Sequence, residues 1–264
     1  MPKIQVNNIQ IAFDDTGSGS PVILLHGFPF NRTLWREQVS ALSSAHRVIT
    51  PDLRGFGESD VAESPATMTS MAEDVAALMD SLGIHQAIIG GLSMGGYVML
   101  AFYKLFPKRV TGLILADTRP QADSEDAKVT MAQQAKNSLS EGMSGIANAM
   151  LPKLFTPASV ANKPHAVQRV REMMMTTKPA GAAAALMGMA VREDHTEMLR
   201  QIDVPTLILV GREDPITPVS DSEKMHHQIA ASQLVIIDAA SHVSNVEQPD
   251  LFNSHLKSFL SKID

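Results

Sequence analysis

The chain has 264 residues, 44% of them hydrophobic and 19% charged, and its 22 basic and 28 acidic side chains give a formal net charge of −6. That composition supplies apolar material for a sizeable core and too little charge for a disordered chain. It offers no global basic field for nucleic acid or an anionic membrane. There is no cysteine, which excludes disulfides, thiolate metal sites, iron–sulfur clusters and a cysteine nucleophile together.

The opening Met1-Pro2-Lys3-Ile4-Gln5-Val6 carries no apolar run of signal-peptide length, and no segment approaches ~18 consecutive apolar residues. A soluble cytoplasmic protein with no membrane contact is the expectation. In chain order, Lys3–Val6 and Ile9–Phe13 flank Asn7-Asn8 and read as a hairpin. Val22–Leu25 is a short apolar run between Pro21 and His26-Gly27, the pattern of a buried strand ending in a turn. Arg47–Thr50, Ala87–Ile89, Gly112–Ala116, Thr206–Val210 and Leu234–Asp238 repeat the theme. Amphipathic segments lie between them. The clearest is expected to start at a Ser70/Glu73 capping box, to carry Met71, Val75, Leu78, Met79 and Leu82 along one face, and to stop at Gly83. Strands alternating with helices predict a largely parallel sheet covered by helices on both faces.

From Arg119 to Ile202 the strand rhythm stops. Helical patterns rich in Ala, Met and Gln are broken by Pro120, Pro152, Pro157, Pro164 and Pro179, of which Pro164 and Pro179 open good helix-forming runs. The expected organisation is a core of residues 1–118 and 203–264 with a helical cap at 119–202 lying over one end of the sheet. Nine of the 16 methionines fall in that insertion, but only one of the 12 aromatics, Phe155. Methionine there is ordinary core filling or, equally, the lining of an adaptable apolar pocket.

Gly91-Leu92-Ser93-Met94-Gly95 fits Gly-x-Ser-x-Gly. Alone it is also what a Gly-rich turn with Ser at a helix start would show. Here it follows a strand pattern and precedes a helical one, Gly96–Phe106, which is the setting the motif requires. A serine on a strained strand–helix turn projects its hydroxyl above the sheet, and the next N–H, that of Met94, points toward the reacting oxygen. The serine hydroxyl needs a base oriented by an acid. In the order Ser…Asp/Glu…His both lie downstream, in loops after later strands. Asp214, in Gly211-Arg212-Glu213-Asp214-Pro215, is the preferred acid over Glu213 and Asp117 on position. His242, in Ala239-Ala240-Ser241-His242, is the preferred base. His46 and His85, at strand starts, and His165, His195, His226, His227 and His255 read as solvated. An oxyanion needs at least two N–H donors, and the turn His26-Gly27-Phe28-Pro29 is placed to add that of Phe28. Asp52-Leu53-Arg54-Gly55-Phe56-Gly57-Glu58-Ser59 lacks the lysine and the glycine spacing of a nucleotide site; Asp52 and Arg54 read as a structural pair bracing this loop. No His-Glu-x-x-His, EF-hand or three-histidine pattern is present, so no metal and no cofactor is expected.

Together these five motifs, in order across roughly residues 20–118 and 203–262, resemble the α/β-hydrolase family, and within it the small carboxylesterases and 3-oxoadipate enol-lactonases. The resemblance implies an eight-stranded, mostly parallel sheet with an antiparallel second strand and a helical cap after the sixth. It implies Ser93 as nucleophile, Asp214 as acid, His242 as base, and Phe28 and Met94 as the oxyanion hole. Serine at 93 is unlike haloalkane dehalogenases and epoxide hydrolases, which carry Asp there, whereas cofactor-free haloperoxidase-like members share the Ser-Met pair. The expected function is hydrolysis of small to medium apolar carboxylic esters through an acyl-enzyme. Two alternatives stand beside it: a lactone or enol-lactone hydrolase with the same three residues, and a hydrolase-fold ligand receptor or stress regulator with slow turnover. A carboxylate-bearing lactone would need a cation near the pocket, for which the cap offers Lys128, Lys136, Lys153, Arg169, Arg171 and Arg192.

Overall fold

A computed structural model describes residues 2–61 and 65–263; Met1 and Asp264, the outer ends of the two expected core segments, lie outside them. The strands are β1 (Lys3–Val6), β2 (Ile9–Thr16), β3 (Pro21–Leu25), β4 (Arg47–Pro51), β5 (Ala87–Leu92), β6 (Val110–Ala116), β7 (Thr206–Gly211) and β8 (Ser232–Ile237). Asn7 and Asn8 turn the first hairpin with φ of 42° and 66°, values that asparagine tolerates better than most residues and that match strand twist.

The eight strands form one sheet in the order β1-β2-β4-β3-β5-β6-β7-β8. β2 runs antiparallel to both its neighbours and the other pairings are parallel, as the resemblance implied. The central strands β5 and β7 are buried along their whole length, because helices cover both faces and every position must be apolar or small. The helices of the doubly wound part are α1 (Arg36–Leu42), α2 (Met68–Ser81) and α3 (Met94–Leu105). From β3 the chain steps outward to β4 through α1. It then reverses, crossing to β5 through α2 and on to β6 through α3. Right-handed crossovers in opposite directions put α1 on one face and α2 and α3 on the other.

Five α-helices fill the interval between β6 and β7: α4 (Glu125–Glu141), α5 (Ser144–Leu154), α6 (Pro157–Asn162), α7 (Pro164–Met175) and α8 (Pro179–Ala190). Pro157, Pro164 and Pro179 each open one, where a missing N–H costs nothing. After β7 come α9 (Val219–Gln228), α10 (Ser244–Glu247) and α11 (Pro249–Leu260). Among the described residues no helix is long and apolar enough to cross a membrane.

The N-terminus of α2 differs from the expected one. Thr67, not Ser70, caps it: Thr67 Oγ1 accepts the Ser70 N–H at 3.0 Å, and the Ser70 hydroxyl donates back to the Thr67 carbonyl. Ser70 therefore lies inside the first turn. Gly83 does end the helix, with φ 66°.

Candidate active site

Parallel register brings the ends of the strands level. Leu25 pairs with Gly91, Leu92 with Ala116, Ala116 with Leu209 and Gly211 with Ile237. The turns after them (26–28, 93, 117, 212–217 and 238–242) thus share one edge of the sheet, the place where open α/β sheets bind ligands.

Ser93 is the single residue between β5 and α3, with φ 54° and ψ −115°, a conformation sparsely populated outside glycine. It is held there from three sides. Its N–H donates to the Ala116 carbonyl at 3.0 Å and its own carbonyl accepts the Thr118 hydroxyl at 2.8 Å. The chain also passes so close to itself that a Cβ on Gly91 would overlap the Gly95 carbonyl, while one on Gly95 would sit 2.7 Å from the Leu25 carbonyl carbon and 2.9 Å from the His26 oxygen. Both glycines are therefore required by space and not by φ.

His242 Nε2 lies 2.8 Å from Ser93 Oγ, and His242 Nδ1 lies 2.8 Å from Asp214 Oδ2. The three side chains form one hydrogen-bonded chain. Asp214 is fixed by its own loop: Oδ1 accepts the N–H groups of Ile216 and Thr217 at 2.8 and 3.0 Å, and Oδ2 accepts the Thr217 hydroxyl at 2.6 Å. This is the local turn that Asp favours. Burial alone would raise the Asp214 carboxyl, but His242 and the Thr217 donors outweigh it and hold it below the usual carboxylate range. Burial likewise pulls His242 down, yet Asp214 raises it above the ordinary histidine value. Of the two other acids considered, Glu213 is exposed and Asp117 bonds elsewhere, to the Gly211 N–H and Ser244 Oγ.

The 26–28 turn lies against Ser93: a Cβ on Gly27 would come within 3.3 Å of Ser93 Cβ. Phe28 and Met94 are both buried. Fully buried His26 anchors this turn, its Nδ1 at 2.9 Å from the Gly27 carbonyl and its Nε2 accepting the Leu53 N–H at 3.0 Å. Burial pushes its pKa down, which keeps the ring neutral as that acceptor role requires.

Other expectations need correction. Asp52 and Arg54 do brace the neighbouring loop, but not with each other. Asp52 takes the Arg32 N–H at 2.7 Å, the Arg32 guanidinium and the Glu58 N–H, whereas Arg54 forms a two-pronged pair with Asp74. Five of the seven histidines read as solvated are at least partly exposed, but His46 and His195 are buried. The 17–19 loop packs closely against the backbone of Ala45 and His46, just before β4. His195 sits where the insertion returns, its N–H bonded to the Pro120 carbonyl at 3.0 Å. Of the six cations offered by the insertion, Arg192 is the buried one; its Nε bonds Asp123 at 2.8 Å and its guanidinium stacks 3.9 Å over Tyr97.

Sequence reasoning passed over Glu247. Fully buried, it accepts the Thr156 N–H from the insertion on one oxygen and the Ser241 N–H, next to His242, on the other. Its visible signal was one acid directly after the uncharged Val243–Val246 stretch. Beside it Ser241 Oγ donates to the Lys153 carbonyl at 2.9 Å, and Thr177 Oγ1 donates to the Pro29 carbonyl at 2.7 Å. The insertion is thus stitched to the His242 loop and to the 26–29 turn alike.

A mostly parallel sheet with this serine turn, Asp214 and His242 on one edge defines an alpha/beta hydrolase fold, and the model of that family matches residues 20–249. The chain belongs to the alpha/beta hydrolase fold family. It is 41% identical to a thermophilic esterase from Thermogutta terrifontis, solved with malate bound, with a TM-score of 0.98 over 100% of this chain and 99% of that one. It is 30% identical to the enol-lactonase from Burkholderia xenovorans LB400, with a TM-score of 0.92 over 98% and 100% of the two chains. It is also 29% identical to 3-oxoadipate enol-lactonase 1 of Acinetobacter baylyi, covering 98% of this chain and 95% of that protein.

Proposed function

We propose that the protein is a serine hydrolase of carboxylic esters. The observation that carries this reading is the unbroken chain from Ser93 Oγ through His242 to Asp214, two contacts of 2.8 Å each, with the serine on a strained turn. Ser93 Oγ attacks the ester carbonyl while His242 Nε2 takes its proton. Asp214 holds Nδ1–H, keeping the imidazole in the tautomer whose Nε2 is free, and it stabilises the imidazolium that forms. The Phe28 and Met94 N–H groups receive the negative oxygen. His242 then gives its proton to the departing alkoxide, and water hydrolyses the acyl-enzyme by the same route. Residues 119–202 act as the cap over this edge and supply the substrate-facing wall.

A lactone is a cyclic ester, and the same steps would open it. The 29–30% identity to enol-lactonases favours keeping that reading second. Occupation of the buried Arg192 by Asp123 and Tyr97 speaks for an uncharged ester first, since it takes away the buried cap cation that a carboxylate-bearing lactone could use.

The test is Ser93→Ala assayed on p-nitrophenyl acetate and butyrate beside a lactone panel. The expected result is loss of both the burst and steady turnover by on the order of 10⁴-fold or more, with unchanged circular dichroism. Retained turnover overturns the reading. A wild-type burst without subsequent turnover would indicate a ligand receptor, and higher kcat/KM on lactones would reverse the order of the two substrates.

A further inference from the structure

A second carboxylic acid is sealed into the same sheet edge and takes no part in the chemistry above. Asp117 immediately follows β6, is 0% exposed, and has φ 44°, a left-handed conformation that needs outside support in a non-glycine residue. Its N–H donates to the Leu209 carbonyl at 2.8 Å. Oδ1 accepts the Gly211 N–H at 2.8 Å, and Oδ2 lies 2.6 Å from Ser244 Oγ. Gly211 ends the strand that leads into Asp214, and Ser244 stands two residues after His242. One side chain therefore ties together the two loops that must keep Asp214 and His242 in contact.

The charged groups bearing on Asp117 are Asp214, from the loop after β7, and His242, from the loop after β8. Arg119, two residues along its own chain, bears on His242. Among the described residues no lysine or arginine pairs with Asp117. An ionised carboxylate here would be buried, without a cation, beside the ionised Asp214.

Resting on the serine-hydrolase reading, we propose that Asp117 is a positioning residue that works in its protonated form, bracing the Asp214 and His242 loops against each other while keeping a second negative charge off that pair. Burial and then Asp214 push its carboxyl up to about 8, against the opposing pull of His242, Ser244 and Gly211. Ser244 Oγ and Asp117 Oδ2 lie 2.6 Å apart, a hydrogen bond that both protonation states of the acid can make. The sign of the coupling follows from charge. Ionised Asp117 raises His242, so the imidazole reaches its neutral, base-competent form at higher pH than it would beside a neutral group.

The decisive experiment follows the imidazole NMR signals of His242 through a pH titration in the wild type and in Asp117→Asn, without substrate. The uncharged amide of that variant stands in for the protonated acid. The expected result is a titration spread over two coupled steps in the wild type and a single step at lower pH in D117N, with the ascending limb of kcat/KM moving the same way. Infrared spectra of the wild type at near-neutral pH should show an un-ionised buried carboxyl that disappears at alkaline pH and is missing from D117N. Asp117→Ala, which removes the tie, should lower kcat by roughly ten- to a hundred-fold, and the amide variant should restore most of that loss. Superimposable His242 titrations, absence of the un-ionised carboxyl, or equal activity of D117A and D117N would each overturn the proposal. If D117A does not fold, the titration and the spectra still decide. Neither needs turnover, so their failure is distinguishable from survival of hydrolysis in Ser93→Ala, which would sink the proposed function instead.

Discussion

The sheet edge that carries Ser93 and the helical insertion between β6 and β7 are joined by hydrogen bonds, yet they are held by different physics. Along the edge, backbone conformation is dictated atom by atom. Ser93, Asp117 and Ala239 all have positive φ, and Gly91 and Gly95 leave no space for a methyl group. Both carboxylate oxygens of Asp214 are hydrogen-bonded. The insertion relies instead on apolar bulk. Met143, Met173, Met174 and Met189 are buried, and Met131, Met150, Met187 and Met198 pack partly buried against the same core. Many side-chain combinations of similar volume satisfy such packing, whereas very few satisfy a turn that forbids a Cβ. A region ruled by backbone sterics leaves a motif in the sequence, and a region ruled by volume leaves only composition.

Substitutions can break or sharpen that contrast. The largest effect is expected for Gly95→Ala, whose new methyl would press on the backbone of Leu25 and His26; it should cost about 3 kcal/mol or more in urea unfolding and abolish the proposed ester hydrolysis. Glu247→Ala, at the seam between the regions, leaves the buried N–H groups of Thr156 and Ser241 without an acceptor. It should cost roughly 2–4 kcal/mol and make the insertion more susceptible to proteolysis; a near-zero cost would show that the seam is held by apolar contact alone. The smallest effect is expected inside the insertion, where Met174→Leu at a 0% exposed position should cost less than about 1.5 kcal/mol. A loss as large as that of Gly95→Ala would erase the distinction.

The same contrast explains what could be read in advance. All eight strands were legible as short apolar runs or hairpin arms, because in a covered parallel sheet the buried strand and the apolar run are nearly the same object. The meeting of Ser93, Asp214 and His242 was legible because each follows such a run, and level register then carries them to a common edge. The cap of α2 was misplaced by three residues: Thr67 and Ser70 are both capable hydroxyls, and only the extended backbone at Thr67 separates the cap from the first turn. Asp52 and Arg54 were paired with each other because they are neighbours in sequence, although their partners, Arg32 and Asp74, come from elsewhere in the chain. Buried His46 and His195 have the 17–19 loop against the His46 backbone and the Pro120 carbonyl on the His195 N–H, neighbours from distant segments that no local pattern announces.

Local chemistry alone thus determined the strand–helix alternation, the serine turn and the placement of Asp214 and His242 after later strands, since each follows from neighbouring residues and the sterics between them. Which carboxylate lies buried between the two loops, and where the insertion is fastened, were decided only in three dimensions. Those outcomes depend on distances between residues as far apart in sequence as Glu247 and Thr156 or Asp117 and Ser244, and on a low-dielectric interior in which a few ångströms separate an ion pair from an unpaired charge.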